Sequence, residues 1–442
     1  MNKIFLLLII ILHIFILGEL VFFPYPELFI YPYLTNQGLK PYAQILDQHF
    51  PGLMFLPINL DNLGMNDESS ARLWLFGIVL ITHLLLYFIS KNILGKKRAL
   101  LVNFLYLIWQ PFFEGWVLWI DNFLPLLLLP AFYFTLRKKL FWAGIFLGLG
   151  VVMKQSIIPL AGLVFLYVLF EKDFKLLWKY TLGGIIPVGL MLLFILSQGY
   201  LSDFWYWNIV FNLTTYAQSG TQVPRNFGFL SRLVLIYSTS LLVFFHHDRQ
   251  LKIILGIFLV GSLVTIFDRA NFVHLQPSLP FVIIATVLGF YSLAKNQISL
   301  ILLGLYLTVT VWWQVIFYRG HISNMVFFFD PQTKNIASKI MEYTNPYDKI
   351  FVFGAAPHLY QMSQTLPAGD VFIFQFPWFL KVAENRVLEG LIKDAPEIVV
   401  VDRTVKIEDE ALVDFASKLD RYILENYQEI DKLGNTQIMK KI

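Results

Sequence analysis

The chain has no cysteine in 442 residues, which excludes disulfides and thiolate metal centres. Charge is scarce as well. Asp, Glu, Lys and Arg make up 14% of the residues, against about 25% in a typical soluble domain. The net charge of +4 is too small for a nucleic-acid surface, and no nucleic-acid partner is expected. Two further absences matter. There is no internal repeat of the kind many transporters carry, and no glycine-rich phosphate fingerprint of a nucleotide site.

What fills the chain instead is apolar. Hydrophobic residues reach 57% and aromatic residues 17%, and long apolar runs recur, so a polytopic α-helical membrane protein is expected. About eleven runs are candidate transmembrane helices at roughly 20 residues each. They fall near 4–20, 72–90, 99–113, 122–136, 140–154, 156–171, 180–198, 231–247, 252–267, 277–294 and 299–318. The first run follows Met1-Asn2-Lys3 without a small-residue cleavage site, so it reads as a retained helix. Charge then returns late: 13 of the 34 basic and 17 of the 30 acidic residues lie in 321–442. Two domains are therefore expected: a membrane domain over 1–320, with a first outer loop at 20–70, and a soluble domain over 321–442.

Lys and Arg in short loops set orientation. Lys91, Lys96, Lys97 and Arg98, then Arg137, Lys138 and Lys139, then Lys172, Lys175 and Lys179 alternate with loops nearly free of base. This predicts a cytoplasmic N-terminus and places the first loop, the 198–229 loop and the C-terminal domain outside. The same outer edge collects Glu27, Asp47, Glu114, Asp121, Lys154, Asp268, Arg269 and His274. Ionisable groups at membrane depth usually pair or line a cavity, and a shared polar cavity explains eight on one face better than snorkelling anchors do.

The first outer loop is the stretch on which a function can be read. Pro24, Pro26, Pro32 and Pro41 forbid one continuous helix across it. Glu27, set between prolines and aromatics, is either a general base or a solvated loop acid. Asp47 and His49 hydrogen-bond a ligand or contribute to a metal site, although no further cluster completes a coordination sphere. Lys154-Gln155 ends a run containing Gly144, Gly148 and Gly150, where spaced glycines permit close helix packing. The lysine either answers an anion or pairs with Glu114 or Asp121. Arg269 and His274 suit phosphate, because arginine presents a planar fork of donors; an Asp268–Arg269 interface anchor is the plain alternative. His13 and His83, inside spans, read as hydrogen-bonded core. The aromatic 198–229 segment reads as interfacial, and Asn212-Leu213-Thr214 as a chance sequon.

In 321–442 a helix is expected over 331–344 behind an Asp330 cap. Strands are expected at 349–354, 371–374, 397–401 and 436–441, with helices at 379–393 and 408–427. Together these predict a small, mainly parallel α/β layer.

Pro26-Glu27, Tyr31, Gly38-Leu39-Lys40-Pro41-Tyr42, Asp47 and Pro51-Gly52, read with the glycine run ending in Lys154 and with Arg269, His274, Pro277 and Pro280, resemble the GT-C superfamily. Its members are integral-membrane glycosyltransferases using polyprenyl-phosphate sugars, among them the protein mannosyltransferases and aminoarabinose transferases. The resemblance implies a GT-C-like membrane domain with a C-terminal extracytoplasmic α/β domain. It also implies inverting transfer to a lipid, glycan or protein hydroxyl on the outer face of the cell membrane. Residue by residue, it implies Glu27 or Asp47 as catalytic acid residue and Lys154, Arg269 and His274 at the donor phosphate. Tyr31, Tyr42, His49, Glu114, Asp121 and Gln155 would bind substrate. The best-known members usually carry Asp where this chain has Glu27, which makes Asp47 a competitor. No cofactor is called for, although the chemistry would admit a divalent metal. The alternatives are a multi-pass transporter or lipid flippase, and an assembly protein that displays its C-terminal domain.

Overall fold

In lipid only the helix itself can satisfy backbone N–H and C=O groups, so apolar runs of sufficient length fold as helices. The computed structural model describes residues 2–219, 227–267, 270–293, 297–407 and 409–442. Among them, five helices are long and apolar enough to cross a membrane: Asn2–Glu19, Glu68–Leu94, Phe174–Ser197, Phe227–Phe245 and Arg249–Ile266. Shorter apolar helices occupy Ile120–Leu136, Leu140–Met153, Gln155–Phe170 and Leu279–Ser292. The runs near 99–113 and 299–318 fall on helices Lys96–Gln110 and Gln297–His321.

By internal contacts the chain divides into two units. The first comprises Met1–Phe23, Ala71–Leu193 and Thr221–Met325 and holds most of the apolar helices. Its closest helix crossing is written in glycine. A Cβ on Gly144 would lie 2.2 Å from the Tyr180 carbonyl oxygen, and one on Gly183 2.1 Å from that of Phe141. Helices Leu140–Met153 and Phe174–Ser197 therefore meet backbone to backbone, as the glycine spacing predicts.

The second unit comprises Pro24–Ser70, Phe194–Gly220 and Val326–Ile442. The first outer loop thus belongs, by contacts, with the C-terminal segment, whereas composition alone joins it to the membrane domain. The reason is long-range pairing that local composition cannot show. Ile45–Leu46 pairs in parallel with Phe372–Ile373, Tyr33 Oη donates to the Thr365 carbonyl at 3.2 Å, and Arg386 donates to the Ala43 carbonyl.

The core of this unit is a five-stranded sheet, in spatial order Tyr427–Leu433, Thr436–Lys441, Ile398–Val401, Lys349–Phe353 and Leu366–Pro367. The pairings of Lys349–Phe353 with Ile398–Val401 and Leu366–Pro367 are parallel, and the other two are antiparallel. The layer is therefore mixed, not mainly parallel. Its centre is buried on both faces: Ile350, Phe353, Val399, Val400 and Val401 are almost wholly enclosed, each worth about 1.5–3 kcal/mol of apolar burial.

Helix Pro331–Tyr343 starts where its signals say it should. Asp330 accepts from the Gln332 and Thr333 amides and Pro331 fills the first turn, where no N–H is needed. Helix Pro377–Asp394 stops at Ala395, which takes a left-handed φ of 39°, ahead of Pro396. Two expectations differ. The expected 371–374 strand pairs only with Ile45–Leu46 and lies outside the five-stranded sheet. The expected helix over 408–427 is instead two short helices, Leu412–Phe415 and Ser417–Asn426, preceded by a small ribbon of Lys406–Ile407 and Glu410–Ala411; Glu408 lies outside the described residues.

The 198–229 segment is helical over much of its described length. Leu201–Trp205 and the wide π-helix Tyr206–Tyr216 pack within the second unit. Phe204 stacks edge-on against Tyr42, Phe211 lies flat on Phe379, and Asn212 Nδ2 donates to the Gln48 carbonyl at 3.0 Å. Residues 220–226, including Pro224 and Arg225, lie outside the described residues.

His358 in this unit has no exposure. Its Nε2 donates to the Phe328 carbonyl at 2.7 Å, and burial lowers its pKa from 6.5 to about 4. The unfolded chain thus binds a proton first on acidification, and stability is lost as pH falls from 6.5 towards 4. Thermal melts between pH 7 and 4 should show this decline, and His358→Gln should flatten it; an unchanged slope in the variant would contradict the assignment.

Candidate functional site

In the first unit, three chain breaks bring polar groups together. Lys154 ends the glycine-rich helix in an extended conformation (φ −157°, ψ 124°). Asp121 sits on the short helix Ile120–Phe123, and His274 on the 3-10 turn Phe272–Leu275. The Lys154 ammonium donates to both carboxylate oxygens of Asp121, at 3.0 and 2.9 Å. His274 Nδ1 lies 2.9 Å from Asp121 Oδ2 and 3.3 Å from Lys154 Nζ. All three are buried, Asp121 completely. Of the two readings open for Lys154, the pairing with Asp121 is therefore realised. Gln155 opens the 3-10 turn that follows.

Glu114 stands on a neighbouring break. Pro111 cannot donate a helical hydrogen bond, and helix Lys96–Gln110 gives way to a wide π-turn over Pro111–Gly115. Glu114 takes a left-handed φ of 55° there, and its carboxylate accepts from the Val273 amide at 3.0 Å, one residue from His274. Gln276 locks the same turn by donating to the carbonyls of Gln110 and Phe113, at 3.1 and 2.6 Å. Arg269 and Asp268 lie outside the described residues.

One cation escaped the sequence reading. The Arg232 guanidinium lies over the rings of Phe112 and Phe272, 4.6 and 5.0 Å from their centroids. The signal was available, since an arginine inside an apolar run usually faces the interior of a bundle. His13 and His83 are hydrogen-bonded core, as expected: His13 bridges His83 at 2.8 Å and Gln110 at 3.0 Å, and His83 reaches Asn103 at 2.8 Å.

In the second unit, Glu27 opens the helix Glu27–Asn36, which runs through Pro32. The proline-rich stretch thus holds a helix of 10 residues where a loop was expected. Residues four and twenty positions on from Glu27 form a second carboxylate centre. Tyr31 Oη donates to Asp47 Oδ2 at 2.5 Å, and the His49 amide and Nδ1 lie 2.7 and 2.8 Å from Asp47 Oδ1. Tyr42 Oη donates to the His49 carbonyl at 2.9 Å. Burial first, then the Asp47 and Glu27 carboxylates, push the Tyr31 hydroxyl well above its usual 10, so it remains a proton donor. Burial and Asp47 raise Tyr42 likewise. Tyr31 and His49 thus bond Asp47 directly, and Tyr42 bonds the loop that carries His49.

Glu27 differs from Asp47 in its surroundings. It lines a cavity of about 400 Å³ with Tyr25 and Pro26, opposite Phe351, Phe374 and Leu412. Among the described residues, no three metal-ligating side chains gather.

A family model for dolichyl-phosphate-mannose-protein mannosyltransferase matches residues 54–197, about a third of the chain. The structure of ArnT from Cupriavidus metallidurans bound to undecaprenyl phosphate superposes with a TM-score of 0.64 at 12% identity, covering 100% of this chain and 98% of that one. The apo structure of the same protein gives a TM-score of 0.63, again at 12% identity, covering 100% and 97%. No curated protein sequence matches. The fold is thus shared over the full length with ArnT from Cupriavidus metallidurans.

Removing one partner of a buried ion pair costs about 3–5 kcal/mol, whereas replacing both by apolar groups is often neutral. Asp121→Leu should therefore destabilise the protein by about that amount, and adding Lys154→Met should recover most of it. Melts in detergent decide this; a single variant as stable as the parent would mean that the pair contributes nothing.

Proposed function

We propose that this chain is a polytopic membrane glycosyltransferase that moves a sugar from a polyprenyl-phosphate donor to an acceptor hydroxyl on the outer face of the membrane, with inversion. The observation that carries the reading is the buried Lys154–Asp121–His274 cluster, in a fold matched end to end by a protein solved with undecaprenyl phosphate. Nucleotide sugars are made in the cytosol, so a transferase working outside uses a lipid-linked donor. The eleven helical runs would cross the bilayer, with the N-terminus cytoplasmic and the 321–442 segment outside.

Glu27 is the better base. Both oxygens of Asp47 already accept, from Tyr31 and from the His49 amide. Glu27 faces a cavity, where an acceptor can reach it. The acceptor oxygen attacks the anomeric carbon as Glu27 takes its proton, and the bond from that carbon to the phosphate oxygen breaks on the opposite face. The leaving polyprenyl phosphate carries away the electron pair. Lys154, with His274 and Arg269, stabilises that developing charge in a low-dielectric site, and Asp121 holds the first two in place. Two or three cations suffice for a monophosphate, so no divalent metal is invoked. Glu114 fixes the loop carrying His274 through the Val273 amide, and serves the site by positioning.

Purified protein in nanodiscs, given a panel of undecaprenyl-phosphate sugars, should release undecaprenyl phosphate. Glu27→Gln should lower kcat by roughly 10²–10⁴ with donor KM little changed. Asp47→Asn should act chiefly on stability, by loosening the loop around His49. Full activity in Glu27→Gln, with Asp47→Asn inactive but folded, would reverse the two roles.

A further inference from the structure

In an in-line displacement the nucleophile and the leaving group lie on opposite sides of the reacting carbon. The space beside the base is therefore occupied by the acceptor, and its chemistry reports what the acceptor carries next to its hydroxyl. Beside Glu27 that space is a cavity of about 400 Å³ lined within the second unit by Phe328, Phe351, Phe374, Val387 and Leu412. Among the described residues of its wall, Glu27 is the only charged side chain.

Besides Glu27 and the Tyr25 phenol, the wall carries two polar side chains, and both are committed elsewhere. Gln375 accepts from the Gly354 amide at 2.8 Å and donates to the Val352 carbonyl at 2.6 Å. The Tyr360 hydroxyl accepts from the Val352 amide at 2.9 Å. A sugar or a peptide placed here would bury more hydroxyls or amides than Tyr25 and Glu27 can partner, each one left over costing about 1–3 kcal/mol. A hydrocarbon loses nothing polar and gains about 25 cal/mol for each Å² removed from water. At about 30 Å³ per heavy atom, the share of a water molecule in the liquid, the cavity takes on the order of a dozen carbons.

The wall is also preorganised. Phe372 and Phe374 meet edge-on at 5.5 Å, and both are backed edge-on by the Tyr31 ring, at 6.0 and 5.4 Å. Tyr31 is itself fixed by Asp47. On its other side, Gly354 takes a φ of 77° and would place a Cβ 2.0 Å from the Asp402 carbonyl oxygen, so the turn bordering the cavity admits no side chain there.

We propose that this cavity is an acceptor-binding site for an aliphatic chain, so that the acceptor is a lipid-type alcohol whose hydroxyl is presented to Glu27. The inference rests on the transferase reading for the role of Glu27, but not for the occupancy of the cavity. Two readouts separate them. Full-length protein in nanodiscs is irradiated with a diazirine-bearing dodecanol, and the labelled peptides are mapped by mass spectrometry. Label should fall on the 371–376 and 351–357 segments. It should drop about tenfold in Ala355→Trp and in Val405→Trp, two variants that fill the cavity from different segments, and persist in Glu27→Gln. In the transfer assay the filled variants should raise acceptor KM about tenfold while leaving donor KM unchanged. Label confined to the membrane helices, or undiminished in both filled variants that still melt like the parent, overturns the site. Label in the cavity without transfer from any donor keeps the site and overturns the transferase reading. Transfer to free sugars or hydroxylated peptides in preference to lipid alcohols overturns the acceptor class.

Discussion

The ion pair between Asp121 and Lys154 is the constraint on which the first unit turns. Neither group meets water, and desolvating each costs several kcal/mol. The two-pronged contact at 3.0 and 2.9 Å repays part of that only if the glycine-rich helix ends where it does and the short helix Ile120–Phe123 starts where it does. A well-packed apolar pair would stabilise the bundle as well or better. Stability alone therefore does not account for the cluster; positive charge held in place is what the proposed phosphate leaving group would need.

Asp121, Glu114, Asp47 and Glu27 carry the same chemistry in different surroundings, and those surroundings set them apart. Asp121 meets an ammonium and an imidazole, which makes it the holder of cations. Glu114 accepts from the Val273 amide and fixes a loop. Asp47 collects donors from Tyr31 and His49 and organises the fold around itself. Glu27 stands in the wall of an apolar cavity, where the acceptor hydroxyl of the proposed reaction would reach it.

Much of this was legible in local pattern. Apolar runs marked the helices, Asp330 with Pro331 marked a helix start, and Gly144 and Gly148 marked a close crossing, because each signal acts on its own neighbours. What failed was of two kinds. The partnership of residues 24–70 with the C-terminal segment depends on pairings such as Ile45 with Phe372, separated by hundreds of residues, and no periodicity records them. The hairpin of Tyr427–Leu433 with Thr436–Lys441, by contrast, did leave a mark. Gly434-Asn435 is a two-residue turn signal, with Gly434 at a φ of 62°, but the amphipathic helix before it captured the reading as far as Tyr427. Proline misled in the opposite direction: it forbids a long helix yet tolerates a short one, and Glu27–Asn36 accommodates Pro32 at the cost of one hydrogen bond. Among the candidate site residues, the pairing of Lys154 with Asp121 was one of the readings the sequence left open, while the hydrogen bonding of Asp47 was not legible, because it depends on which donors reach which oxygen.

The buried histidines show how far such donor accounting reaches. The Asn103 amide nitrogen donates to the Ala99 carbonyl, so its oxygen faces His83 as an acceptor. The Gln110 amide nitrogen donates to the Gly115 carbonyl, so its oxygen faces His13 as an acceptor. Acceptors close the chain at both ends, and the three bonds through His83 and His13 need three protons, whereas two neutral imidazoles bring two. While both rings are neutral one bond lacks its proton; a third proton would complete the chain at the cost of a charge buried among apolar helices, with the Tyr106 ring against both imidazoles. Either state bears on Gln110, whose amide packs so closely under Gly115 that a Cβ there would lie 2.2 Å away. The turn presenting Glu114 to the His274 loop therefore rests on a hydrogen-bond chain that is one proton from saturation, and the geometry of the polar cluster is tied to groups deep in the helical unit.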